Sequence, residues 1–122
     1  MTVLLTLKNI ELVIFRKRVE MESLIEKLKQ AGDESFEIWF DRWYKKIDIE
    51  HLLLVSSSKG FNKFHISLNN EDEYTRNRML DKRFIPKMKK MLGIGINVYL
   101  KVVPKKNFLG FGLEDKYIFI EW

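Results

Sequence analysis

Cysteine is absent from the 122-residue chain, so disulfides, thiolate zinc sites and cysteine nucleophiles are excluded together. Histidine occurs twice, at His51 and His65, and neither belongs to a pair with metal-ligand spacing. Proline (two) and glycine (six) are scarce and no stretch is of low complexity, which excludes collagenous and disordered classes. No window approaches the roughly 18 uncharged apolar residues of a membrane span. The apolar stretch from Met1 to Phe15 is interrupted by Lys8 and Glu11, and the cluster Arg16, Lys17 and Arg18 follows it. A secretory signal has the opposite order, with positive charge first. These absences predict a cytoplasmic protein with no membrane partner.

What is present is the material of one globular domain spanning 1–122. Apolar residues make up 46% and charged residues 32%, with three Trp, four Tyr and nine Phe to fill a core. Lys and Arg number 22 against 17 Asp and Glu, a formal charge of +5. An excess of that size carries meaning only where the charge is clustered.

The periodicities predict an α+β fold: a mainly antiparallel sheet, made of two hairpins plus an N-terminal strand, with two or three helices on one face. Val3, Leu5 and Leu7 alternate as a strand over Thr2 to Leu7. Ile10, Val13, Ile14, Met21, Leu24, Ile25 and Leu28 then recur as a helix that stops near Ala31, before Gly32. Asp33 or Ser35 caps a second helix, in which Phe36, Trp39, Phe40, Trp43, Tyr44 and Ile47 fall at three- and four-residue spacings. A strand over Phe36–Phe40 competes with that helix. Leu52 to Ser56 reads as a strand, Lys59-Gly60 as a turn, and Phe64, Ile66 and Leu68 as the inward face of the return strand. Asn69 or Asn70, ahead of Glu71, Asp72 and Glu73, opens a helix that Pro86 breaks, and a short second piece ends before Gly93. The last hairpin pairs Ile96–Val102 with Tyr117–Trp122, leaving Pro104–Lys116 as a long connection with Gly110 and Gly112.

Three constellations carry functional expectations. The first is the basic run Arg76, Arg78, Lys82, Arg83, Lys87, Lys89 and Lys90, opposed by Asp81 alone. Projected on one helix it forms two rows of cations able to grip phosphates; the more economical reading is a solvated face shielding an apolar stripe. The second is the outward face of the last hairpin, with Tyr99, Lys101, Tyr117 and Phe119 beside Lys105 and Lys106. Aromatics with a cation on a sheet face suit stacking of unpaired bases, unless helices cover that face as a second core layer. The third is the set Trp39, Arg42, Trp43 and Tyr44, residue types that dominate protein interfaces, although such a stripe is more often core.

Signs of catalysis are thin, and the balance leans against an enzyme. Asp48-x-Glu50 on a strand would aim two carboxylates one way, yet no third acid accompanies them. Gly93-Ile-Gly95 and Gly110-Phe-Gly112 do not lead into a Lys-Ser/Thr pair or a helix, so they are not phosphate loops. No catalytic residue, metal site or cofactor is assigned. The expectation is a small nucleic-acid-binding protein with mainly electrostatic backbone contacts, supplemented by aromatic base stacking. The alternative is an inhibitor or adaptor that sets aromatic anchors and a basic patch against an acidic protein surface.

Overall fold

The computed structural model describes the backbone of residues 2–106 and 112–122, and the side chains of 23–105 and 114–122. The elements run α1 (Thr2–Ile47), α2 (Ile49–Ser58), β1 (Lys63–Ser67), a 3-10 turn (Leu68–Asn70), α3 (Glu73–Met79), α4 (Phe84–Leu92), β2 (Asn97–Lys106) and β3 (Gly112–Glu121). The protein therefore combines helices with one three-stranded antiparallel sheet. Among the described residues no helix is long and apolar enough to cross a membrane. By its internal contacts the chain forms two units, one up to Trp39 and one from Phe40.

The unit up to Trp39 is helical throughout its described length, which corrects two expectations. The segment Thr2–Leu7 is helix and not strand. Three alternating residues are too few to separate the two periods, and no proline precedes Pro86 to interrupt a helix. Gly32 does not stop the helix either. A C-terminal glycine cap needs a left-handed backbone, and Gly32 is not among the residues with positive φ. It is carried inside the helix at a cost of about 1 kcal/mol relative to alanine. Phe36 is buried and its ring lies 5.9 Å from that of Trp39, whereas Leu24, Ile25, Leu28 and Ile38 are exposed.

In the unit from Phe40 the remainder of α1 is helical, so the strand alternative over Phe36–Phe40 is excluded. Asp48 then adopts φ 53° and ψ 58°. This single left-handed residue, of a type that tolerates the conformation, joins α1 to α2. The backbone N–H of Asp48 still donates to the Tyr44 carbonyl (3.1 Å), and its own carbonyl accepts from Leu52 (3.2 Å). Leu52–Ser56 lies in α2, so the first expected hairpin does not exist. Ile49 and Leu53 are the buried residues of α2, four apart. That spacing places both on one helical face, whereas a strand would present the whole run alternately. The turn at Lys59-Gly60 is present, with Gly60 at φ +89°.

Strand order is β1-β3-β2, so the partner of β1 comes from the end of the chain. Phe64 faces Ile120, Ile66 faces Ile118, and on the other side Val98 faces Ile120 and Leu100 faces Ile118. Ile66, Ile118, Ile120 and Val98 are buried, so the apolar face is the core face at these positions. The expectation fails further along β2, where Leu100 and Val102 on that face are exposed, and Ile96 lies before the strand. Pro104–Lys106 and Gly112–Lys116 extend the two strands into the expected long connection, with Lys106 opposite Gly112. Gly110 lies outside the described residues.

Asp72, rather than Asn69 or Asn70, caps α3: its carboxylate accepts from the Thr75 backbone N–H at 3.3 Å. Hydrogen bonding from Thr75, its side-chain hydroxyl first and its backbone N–H second, holds the Asp72 carboxyl below its ordinary pKa. The break before α4 comes at Leu80–Arg83, and Pro86 sits in the first turn of α4, where its missing donor costs nothing. Gly93 ends α4 at φ 87° and ψ −172°, a conformation open essentially to glycine alone. Phe84 and Met88 of α4 are fully buried, and the Phe84 ring meets Phe40 and Trp43 edge-on at 5.9 and 5.1 Å.

Candidate nucleic-acid interface

Directly opposed residues in an antiparallel sheet share a face, so the register assembles the outward surface row by row. One row reads His65–Phe119–Tyr99 across β1, β3 and β2; its neighbours read Ser67–Tyr117–Lys101 and Lys63–Glu121–Asn97. Phe119, on the central strand, is the hub. Its ring lies 5.5 Å from His65 (interplanar angle 29°) and 5.5 Å from Tyr99 (12°). Tyr117 meets His65 and Phe119 edge-on at 5.5 and 6.1 Å. The Lys101 ammonium stands 5.1 Å from the Phe119 ring centroid, within cation–π range.

The described residues leave this face partly open to solvent. Tyr99, Tyr117 and Phe119 remain half-buried and His65 is exposed, as are Lys63, Lys101 and Lys105. The two carboxylates on the face are engaged. Glu121 accepts from the Tyr99 hydroxyl at 2.7 Å and lies 3.7 Å from the Lys63 ammonium. Asp115 accepts from the Asn69 side-chain amide. The hydrogen bond to Glu121, followed by burial, raises the Tyr99 pKa, so the phenol stays protonated at neutral pH and acts as a donor. Among the described residues, Lys101 and Lys105 make no ion pair. Lys106 closes β2, and its side chain lies outside the described ones.

The basic run does not form two continuous rows, because α3 and α4 are separate helices with Leu80–Arg83 between them. Much of its charge is also occupied. Arg76 is half-buried, and its guanidinium donates to the Glu71 carbonyl at 3.1 Å. Arg78 donates to the Tyr74 hydroxyl at 3.2 and 3.1 Å and lies 5.3 Å from that ring. Arg83 grips Asp81 with two side-chain hydrogen bonds of 2.9 and 2.8 Å, and its backbone N–H adds a third of 2.9 Å. Lys87 is half-buried, with its ammonium 5.8 Å from the Phe40 ring. Lys82, Lys89 and Lys90 are the exposed cations of the run.

The Arg83 pairing holds the Asp81 carboxyl down at about pKa 2, chiefly through the side-chain hydrogen bonds. That value is below the unfolded one, so the stabilisation is fully present above about pH 4 and is lost as pH falls toward 2. Asp81→Asn should therefore lower stability at neutral pH by about 1 kcal/mol and leave it unchanged near pH 2. Urea denaturation of both proteins across that range is the check.

Of the interface-type aromatics, Trp43 is buried against Phe84 and Trp39 is half-buried, whereas Arg42 is exposed. The Tyr44 hydroxyl donates to Glu50 at 3.1 Å, and burial together with that carboxylate pushes its pKa up to about 12. Asp48 and Glu50 do not form the expected pair on a strand: one is the joint before α2 and the other lies in its first turn. Among the described residues no group of three or more His, Asp and Glu side chains could hold a metal ion. A cavity of about 380 Å³ is lined by Glu50, Leu53, Ser57, Leu92, Ile96 and Trp122, among others. Among its lining side chains Glu50 alone is charged.

His65 and Lys63 are the residues of the aromatic face that sequence reasoning passed over. Their outward position on β1 was readable from the alternation, but their place beside Phe119 depends on β1 pairing with β3. No known family model, curated protein or solved structure matches this chain.

Proposed function

We propose that this protein is a cytoplasmic nucleic-acid-binding protein whose contact surface is the outward face of the sheet. The observation that carries the reading is the row His65–Phe119–Tyr99, left half-exposed between lysines. Rings gathered side by side on one sheet face suit an interaction surface better than scattered ones do, and rings flanked by cations match what nucleic acid presents: flat bases on a chain of phosphates. On this reading the helices cover the apolar face alone, Lys101 and Lys105 receive phosphates, and the rings receive bases. Lys82, Lys89 and Lys90 add a diffuse attraction from the helical side. The alternative, an adaptor docking on an acidic protein, is less favoured because Trp43, one of its four anchor residues, is buried.

Fluorescence anisotropy of labelled oligonucleotides at low and physiological salt tests the proposal. Micromolar binding at low salt that weakens as salt rises is the expected result. Absence of binding at low salt contradicts it.

A further inference from the structure

We infer that the aromatic face takes single-stranded nucleic acid, holding about two or three consecutive unpaired bases across the three strands. This rests on the nucleic-acid reading above and goes beyond it by fixing the strand form. In a duplex the base faces are covered by their neighbours, so a ring on a protein surface reaches them only after unstacking. A single strand offers every base face freely, and stacking on aromatics is tolerant of sequence for that reason.

The geometry fits that ligand. His65, Phe119 and Tyr99 follow one another across the sheet at 5.5 Å steps with planes 29° and 12° apart, a short offset stack that bases extend from its His65 and Tyr99 ends. The cations are placed around the rings and not in the long tracks a duplex backbone requires. Lys101 stands against Phe119 itself, Lys105 lies four residues further along the same face of β2, and Lys63 lies at the β1 edge. Of the two carboxylates on the face, Glu121 is balanced by the Lys63 ammonium at 3.7 Å, and Asp115 accepts from the Asn69 amide at the far end of β3 from Phe119. With Lys101 and Lys105 engaged, the salt dependence for a single strand should be shallow, with a slope of about −1.4 in log K against log salt.

The test compares labelled ten-nucleotide thymidine and uridine strands with a blunt ten-base-pair duplex, by anisotropy, on the whole chain. Single strands should bind at least tenfold more tightly than the duplex. Phe119→Leu keeps apolar volume in the strand but removes the ring, and it should weaken single-strand binding at least fivefold with an unchanged circular dichroism spectrum. Lys101→Ala, at an exposed position, should also weaken it, whereas Lys89→Ala with Lys90→Ala should change it less than twofold. Equal or tighter binding to the duplex would overturn the single-strand inference and leave the nucleic-acid reading standing. Undiminished single-strand binding by folded Phe119→Leu and by Lys101→Ala would overturn the placement on this face. Failure to bind either form would overturn both.

Discussion

Truncating Phe84 to alanine is expected to lower the free energy of unfolding by about 3–5 kcal/mol. Phe84 has no exposed surface and sits in the first turn of α4, where it ties that helix to the end of α1 through the Phe40 and Trp43 rings. Removing it forfeits the burial of a whole ring and two edge-on aromatic contacts, and leaves a cavity among side chains that cannot all collapse into it. Domains of this size carry about 5–15 kcal/mol in total, so the variant would stand close to its unfolding threshold. Phe64→Ala is the internal comparison. Phe64 occupies the inward face of β1 but is only half-buried, so its loss should cost less than half as much. Urea denaturation of the two variants measures the contrast, and a Phe84→Ala loss below about 1 kcal/mol would contradict the core described above.

Ile118→Asp is expected to prevent folding, with a loss on the order of 5 kcal/mol, whereas Phe119→Ser one position along should leave a folded protein. Ile118 lies on the central strand, fully buried, opposite Ile66 on one side and Leu100 on the other. A carboxylate there finds no partner, because no buried polar or charged residue stands among the described ones. Phe119 points the opposite way toward solvent. A one-residue register slip would exchange the two faces and reverse the outcome, so the pair tests the sheet as a whole. Circular dichroism and urea melts suffice.

The parts of the fold legible in the sequence are those where one period dominates. Phe64 and Ile66 alternate cleanly with polar residues, and Ile118 and Ile120 do the same, so these strand positions and their inward faces could be read directly; Leu68, expected to continue the first strand, is buried but opens the 3-10 turn. Phe36–Ile47 was not settled by the sequence, because Phe36, Ile38 and Phe40 also alternate as a strand; it belongs to the continuous helix α1, so neither Asp33 nor Ser35 caps a second one. Leu52–Val55 was not legible either, because a short run of consecutive apolar residues carries no period. Burial of Ile49 together with Leu53 decides for helix, and that is a tertiary fact. Gly32 misled for a related reason: a glycine is tolerated inside a helix when enough helix-forming sequence lies on both sides of it.

The candidate site divides in the same way. Tyr99, Tyr117 and Phe119 could be placed on one outward face from alternation alone. Whether that face was covered could not, since coverage depends on which sheet face the rest of the chain uses. His65 entered the site only through the pairing of β1 with β3, a contact spanning more than fifty residues. The basic run was conspicuous in composition, yet Arg76, Arg78 and Arg83 bond to Glu71, Tyr74 and Asp81 within their own helices and turns. Charge density along a sequence counts cations without subtracting those that the fold itself occupies.

The most direct test of the central claim is a map of chemical-shift changes in the isotopically labelled protein on adding a short thymidine oligonucleotide. The account predicts that the largest changes fall on the ring protons of His65, Tyr99 and Phe119 and on the backbone amides of β2 and β3. Changes concentrated on Lys82, Lys89 and Lys90, with the aromatic resonances unmoved, would contradict it.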